Sequence, residues 1–485
     1  MRKLTLVLLF GTSVTAPGVL RAQEKWGLRK CVEYAMANNI SVRQADIDAR
    51  MSELTYKQSQ AAQYGQLSFT TGLGVSFGYS VDPATNLFIA TDFLSQSYTL
   101  QGGANLFNWF SQRRLIESNK LSYLAQKTNI DKVRNDVALN VAAAYLTALA
   151  ARQQVDVGLA QVQLSRDQLG NTQKLVDAGS QPELNAAELE AQLASDSAAL
   201  IGAQATYDQD ILQLKATLSL DAAYPFNLDT PAVETIPVES ISELQPDVVY
   251  TLAQRTFPQS QLNEYRIQAA GKAYESAKGQ LYPTLQIFGS LGDRFSNTLQ
   301  QPGLPKLSGV DTTGYFVYNN GVVNNVLAPN YTYGYTKNSF GQLWTGYWNQ
   351  LDQNFGQQVG IQLNIPIFNG NLARTNLRKA KLNIRSAELQ KESDLLTLKQ
   401  NVYQAYSAAV AALERFQANR KALSTAQVSF DLASKRYGIG LLNTIDYITN
   451  QNNLFKAKIN LLASQYDYVF KMKVLEFYKG EGVKL

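Results

Sequence analysis

The apolar positions of this chain switch between a period of two and a helical period. Leu67, Phe69, Leu73, Val75, Phe77 and Tyr79 share one face of an extended run, and Ser68, Thr70, Gly72, Gly74, Ser76 and Gly78 take the other. A second run, about Tyr98 to Phe107, sets Tyr98, Leu100, Ala104 and Leu106 against Thr99, Gln101, Gly103 and Asn105. Further on, Val359, Ile361, Leu363, Ile365 and Ile367 oppose Gln358, Gly360, Gln362 and Asn364. Strands are expected at about 66–80, 98–107, 283–297 and 355–367. Runs of about ten residues with one apolar and one small, polar face are the signature of a transmembrane β-barrel wall. The competing reading is a soluble sandwich, whose outward face would carry Lys and Glu. Here the polar face is nearly free of charge, which suits a water-filled lumen better.

Between the strands the pattern is helical. No proline occurs from Phe110 to Ala178 or from Leu372 to Tyr437. Both stretches are rich in Ala, Leu, Gln and Lys. Helices of that length would run about 100 Å at ~1.5 Å per residue, and they need partners along their whole length, as in a coiled coil. Each ends at a glycine turn, Ala178-Gly179-Ser180 and Gly438-Ile439-Gly440, followed by a return helix at about Leu184–Ser219 and Thr444–Tyr478. A first helix is expected at about Leu28–Tyr64.

The chain repeats itself once. Phe107-Asn108 recurs as Phe368-Asn369, and at the same offset of 261 residues Ala144-Tyr145 meets Ala405-Tyr406 and Gly179 meets Gly440. Upstream the offset is 218: Ala35, Tyr56 and Tyr64 meet Ala253, Tyr274 and Tyr282. The difference is a 43-residue insertion in the second half. A period this long is a duplicated domain rather than a solenoid unit. The expected organisation is a signal segment at 1–22, a first repeat at 23–220, a linker at 221–246 marked by Pro225, Pro231, Pro237 and Pro246, and a second repeat at 247–485.

Composition narrows the function. The chain has no His and one Cys, Cys31, so a Ser-His-Asp or Cys-His mechanism, a His- or Cys-based metal site and an internal disulfide are all excluded. No nucleophile–base constellation is present, so no enzyme and no cofactor are expected. Charged residues are 17% against the ~25% of ordinary soluble domains. A net charge of +5 is too mild for a nucleic-acid binder. At the start, Arg2 and Lys3 precede the apolar run Leu4–Phe10, and Leu20-Arg21-Ala22 resembles a signal-peptidase site. An N-terminal helix of the mature fold is the alternative. Leu28-Arg29-Lys30 before Cys31 lacks the small residues of a lipidation site, so Cys31 reads as a small buried residue of the first helix. After Ala22 no run of 18 apolar residues follows.

Strand arithmetic then requires an oligomer. Four strands cannot close a barrel, and in lipid an open edge leaves backbone groups unsatisfied. Two copies give eight strands, whose interior fills with side chains; three give twelve and a lumen. The small polar face favours three, and physics alone leaves four open.

The duplicated helix–strand–strand–helix–helix order resembles the TolC-like outer membrane efflux proteins. So do Gln280-Leu281-Tyr282-Pro283-Thr284-Leu285 leading into a strand, and Tyr437-Gly438-Ile439-Gly440-Leu441 before Asp446. Trp26-Gly27-Leu28 with Cys31-Val32-Glu33-Tyr34-Ala35 and Asn38-Asn39 resembles the form found in the Bacteroidetes group. The resemblance covers essentially the whole mature chain, through the order and spacing of these motifs. It implies a mixed α/β membrane protein: a homotrimer with a 12-stranded outer membrane β-barrel on a long periplasmic α-helical barrel, with an equatorial zone at the linker. It implies a passive exit duct in a tripartite efflux or type I secretion system. A periplasmic adaptor (membrane fusion) protein would join it to an inner-membrane pump such as an RND or ABC transporter.

The same resemblance implies the site residues. Family carboxylates at the start of the second half's return helix narrow the periplasmic mouth. Asp446 stands at such a position, Thr449 stands where a second carboxylate is expected, and Asn185 and Glu188 hold the first half's register. For Asp446 a plain helix-N-terminal acid is the alternative reading. The adaptor-docking tips match Ala178, Gly179, Ser180, Ile439, Gly440 and Leu441, where simple helix capping is compatible with docking. The insertion, about Thr298–Asn354, reads as a tolerated aromatic surface loop, with packing over the barrel mouth or a partner outside as alternatives. An export duct is the expected function, and a structural or adhesive envelope protein is the alternative.

Overall fold

A computed structural model describes residues 25–81, 86, 88–90, 92–231, 236 and 239–480. The expected signal segment at 1–22 and Pro237 lie outside the described residues. In chain order the elements are α1 (Leu28–Asn38), α2 (Ile40–Ala61), β1 (Gln66–Ser76), β2 (Tyr79–Val81), β3 (Phe88–Ala90), β4 (Phe93–Phe107), α3 (Ser111–Asp177), α4 (Glu183–Leu218), α5 (Pro246–Thr256), α6 (Pro258–Gly279), β5 (Thr284–Thr298), β6 (Gln300–Asn319), β7 (Val322–Lys337), α7 (Phe340–Leu343), α8 (Tyr347–Asn354), β8 (Gly356–Asn364), α9 (Leu372–Gly438) and α10 (Thr444–Lys479).

The duplication is written into the helix ends. The bounds of α1 and α2 recur in α5 and α6 at the offset of 218, and those of α3 and α4 recur in α9 and α10 at the offset of 261. The long helices have 67 residues each and the return helices 36. The first helix is not continuous, contrary to the expectation from its periodicity. It breaks at Asn39, whose backbone is extended and whose side chain accepts from the Ser41 amide at 2.8 Å, capping α2. The matching break at Phe257 precedes Pro258, a residue that disfavours helix before it.

The chain folds into two compact units, each described by itself. The helical unit takes the described residues of Met1–Ser52, Leu121–Ile267 and Ser386–Leu485. Its largest core joins Leu28, Cys31 and Val32 of α1 to Val141, Tyr145 and Leu149 of α3, Leu214 and Leu218 of α4, and Tyr466 and Val469 of α10. Trp26 closes this core. Its amide donates to the Asn227 carbonyl at 2.8 Å and its ring stacks on Phe226. A second core repeats the theme with Val249, Val402, Ala409, Met472 and Leu475. Cys31 is fully buried where the second half has Val249, which explains a thiol used as a small apolar group. Burial pushes that thiol up to about 12.

The strand unit takes the described residues of Glu53–Lys120 and Gln268–Arg385. Its main sheet runs β1-β4-β5-β8, antiparallel throughout, with β1 and β8 at the edges. Direct pairs such as Phe69↔Leu100, Leu100↔Leu291 and Ile287↔Ile361 put the apolar rows on one face. That face is bare: Leu67, Phe69, Val359 and Ile361 are all more than 60% exposed. The other face carries Ser68, Thr70, Thr99, Gln101, Gln286, Ser290, Gln358 and Gln362. β4 begins at Phe93, ahead of the start expected near Tyr98, which the period-two pattern missed because Gln96 interrupts the apolar row. Among the described residues no helix is long and apolar enough to cross a membrane, which bears on helices alone.

The insertion is not a loop. It forms the hairpin β6–β7 and the short helices α7 and α8. The hairpin turns at Asn320 and Gly321, both at positive φ (50° and 83°), the backbone of a type I′ turn.

Candidate functional site

The site expected from the sequence lies wholly in the helical unit. The α3 helix ends with the Gly179 amide on the Val176 carbonyl and the Ser180 amide on the Leu175 carbonyl, both 2.8 Å. The α9 helix ends the same way, with Gly440 on Tyr437 at 3.0 Å and Leu441 on Arg436 at 2.8 Å. These are paired Schellman motifs, which need a left-handed residue after the cap. Gly179 and Gly440 supply it at φ 70° and 77°. Ala178 and Ile439 are the two caps. Ile439 and Leu441 are left 71% and 66% exposed, so one tip presents two bare aliphatic side chains.

The turn into α10 is fixed by Asn443. Its side-chain oxygen accepts from the Asp446 amide at 2.7 Å, and its side-chain amide donates to the Asp446 carboxylate at 2.9 Å. Asp446 is exposed, as is Thr449 one turn on, whose hydroxyl donates to the Ile445 carbonyl. In α4, Asn185 and Glu188 are half-buried, and the Asn185 amide leans on Gln181 at 3.4 Å. The hydrogen bonds of Asp446, Thr449 and Asn185 are thus local to their own turns. The structure puts the four residues in the first turns of α4 and α10, and it does not join them to one another within a protomer.

Behind the tips the helices are held by a third core of Leu189, Phe430, Tyr437, Tyr447 and Leu454. Tyr437 and Tyr447 stack at 4.6 Å. Burial, and secondly the neighbouring Tyr437, pushes Tyr447 up to about 12, so it stays a neutral packing group.

A polar network that sequence reasoning missed sits above this core. Asp196 is buried and accepts from Ser165 at 2.5 Å, Gln192 at 2.7 Å and Gln161 at 3.2 Å. Ser165 in turn accepts from Gln451 at 2.7 Å, and Gln192 and Asn452 exchange two bonds. One network therefore ties α3 and α4 to α10. The sequence signal was available: Gln192 and Asp196 continue the three–four spacing that begins at buried Leu189, so polar residues interrupt a helix seam.

With paired capped tips, duplicated long helices and a four-stranded membrane-type sheet established, the family comparison is decisive. The model of the outer membrane efflux protein family matches residues 32–219 and 330–480. The chain belongs to the outer membrane efflux protein family. Among its efflux relatives, "Outer membrane efflux protein BepC" of Brucella suis is 21% identical over 96% of this chain and 86% of its own. "Probable outer membrane lipoprotein SilC" of Salmonella typhimurium is 20% identical over 90% and 82%. The solved CusC channel superposes with a TM-score of 0.70 at 15% identity, covering 94% of this chain and 92% of that one. VceC of Vibrio cholerae gives 0.65 at 16% identity over 94% and 97%. The fold is that of the efflux channel-tunnels, and membership puts this efflux protein in the outer membrane, with its helical tunnel in the periplasm.

Proposed function

We propose that three copies of this chain close one twelve-stranded barrel and form a passive exit duct. The observation that carries this is the four-stranded sheet, with edges at β1 and β8 and a bare apolar face. Unpaired strand edges are untenable in hydrocarbon, so β8 of one copy must meet β1 of the next. Eight strands would fill their own interior, whereas the small Ser, Thr, Gln and Gly face lines a lumen when twelve close.

The repeats at 23–220 and 247–485, joined by the linker at 221–246, supply two helix pairs per copy. The aperture is formed by Asp446 of α10, with Thr449 beside it and Asn185 and Glu188 on α4. Three Asp446 carboxylates facing one another across a narrow opening would attract cations and repel each other. The tips at Ala178–Ser180 and Ile439–Leu441 dock a periplasmic adaptor, and exposed Ile439 and Leu441 give it an apolar grip. An inner-membrane pump of RND or ABC type supplies the energy, in tripartite efflux or in type I secretion. The chain itself performs no chemistry.

The test is conductance. Purified protein in a planar lipid bilayer is expected to give discrete, long-lived single-channel steps. A protein that inserts and folds but conducts nothing would make it a structural or adhesive envelope component instead.

A further inference from the structure

The helices of the insertion lie on the apolar face of the sheet, not on its polar face. Phe295 shares that face with Leu291 and Ile287, since the β4–β5 register is unbroken from Thr298 to Gln286. Phe295 is fully buried by Trp344 and Tyr347, with ring centroids 5.5 and 4.9 Å away. Tyr98, on the same face of β4, shares a hydrogen bond with the Tyr347 hydroxyl at 2.7 Å. Asn297 holds the preceding turn through the Gln342 and Leu343 carbonyls, and Gln350 accepts from the Ser296 amide. Tyr347, Gln350, Leu351 and Asn354 follow the spacing of one helical stripe, and all four are half-buried.

What that packing leaves out is aromatic. Trp348 is 79% exposed and Phe340 78% exposed, although each touches the cluster, Trp348 through Tyr347 and Phe340 through Trp344. From Phe340 to Phe355 the only charged residue is Asp352. Height on the barrel decides what covers these rings. From Leu285 to Phe295 the strand rises ten residues, about 34 Å at ~3.4 Å each. A barrel tilt of roughly 40° reduces this to about 26 Å, close to the ~25 Å apolar band of outer membrane barrels. Phe295 therefore marks the upper margin of the band whose lower margin is ringed by Phe107, Trp109 and Tyr282, with Trp109 and Tyr282 rings 4.8 Å apart.

We infer that α7 and α8 form a membrane-interface anchor, lying in the headgroup–acyl boundary of the outer leaflet with Trp348 and Phe340 dipped into lipid. The bare rings continue the lipid-facing surface directly, and an aromatic, nearly uncharged short helix suits that depth. The inference rests on the proposed barrel, with its apolar face toward lipid.

The test uses the full trimer in phosphatidylcholine vesicles whose acyl chains carry bromine, a short-range quencher of indole emission. The contribution of Trp348 is the difference between the native protein and Trp348→Phe. A reporter for the sheet face itself is Val359→Trp in the Trp348→Phe background. The expected result is loss of the Trp348 emission in brominated vesicles and its protection from aqueous iodide. If iodide quenches Trp348 while brominated lipid does not, and the Val359→Trp reporter is still quenched by lipid, the helix stands in water and the anchor is wrong. If neither quencher reaches Trp348 while the reporter responds to lipid, another protomer covers it, and the anchor is again wrong. A reporter that lipid cannot reach would overturn the barrel face and the anchor together.

Discussion

Asn443 and Asp446 cap α10 reciprocally: the Asn443 side chain accepts from the Asp446 amide and donates to the Asp446 carboxylate. The structure shows the helix-cap reading of Asp446, and the exposed carboxylate leaves the proposed aperture role compatible with the same geometry. The carboxylate is exposed, and it also complements the positive end of a helix, an effect of about 0.3–1 kcal/mol. Asp446→Asn keeps the amide bond to Asn443 and removes the charge. It is expected to cost less than 1 kcal/mol in stability. It should reduce the block of channel current by divalent or trivalent cations added from the periplasmic side. Unchanged block would take Asp446 out of the aperture and leave it a helix cap.

The glycine tips predict a graded substitution series. Around Gly440 a Cβ would meet open space, so the cost of a side chain there is backbone strain alone. Gly440→Ala should destabilise the turn by roughly 1–2 kcal/mol, and Gly440→Asn by less, because Asn tolerates the left-handed region. Hydrogen exchange at the Leu441 amide, which bonds the Arg436 carbonyl, is the direct readout. It should quicken most in the Ala variant. Equal effects of Ala and Asn would mean that the left-handed turn is not what limits the tip.

The buried carboxylate of Asp196 predicts an asymmetric pair of variants. Asp196→Ala strips acceptors from Ser165, Gln161 and Gln192 together and should lower stability by about 3 kcal/mol. Asp196→Asn keeps one acceptor oxygen and the volume, so it should cost less. Thermal unfolding of the detergent-solubilised protein measures both. A neutral Asp196→Ala would mean that water replaces the carboxylate without loss.

Cys31 carries the pH prediction. Burial, partly offset by the nearby Lys30 charge, raises the thiol from 9.0 to about 12 in the fold. The folded state thus holds this proton more tightly than the unfolded chain. The associated stability is complete below pH 9 and is lost as pH rises toward about 12. The thiol should resist maleimide at pH 8 until the protein unfolds, since the thiolate is the nucleophile. Cys31→Val, copying Val249, should remove only the Cys31 share of the alkaline loss, since buried tyrosines such as Tyr447 are also pushed up by burial. Rapid labelling of the native protein at pH 8 would contradict the burial.

Much of the architecture was legible because it rests on periodicity. Period-two runs fix the strand faces, and a constant offset survives divergence, so Gly179 and Gly440 announced the same turn twice. The parts that were not legible depend on single side chains or distant contacts. The break at Asn39 needs one capping bond that a long amphipathic pattern hides. The β6–β7 hairpin was obscured by Pro302, Pro305 and Pro329, which argue against strands, although Asn320-Gly321 is a strong hairpin signal. The seating of α7 and α8 depends on Phe295 meeting Trp344 and Tyr347, tertiary contacts with no local pattern. The register of Asp446, Thr449, Asn185 and Glu188 follows from the repeat, but the proposed convergence of these residues across an opening would belong to an assembly of chains.

Native mass measurement of the detergent-solubilised protein reads that assembly out directly. A complex of three chains is expected, with no folded monomer surviving dissociation, because each sheet ends at β1 and β8. A stable, folded single chain, or a complex of two, would contradict the twelve-stranded barrel.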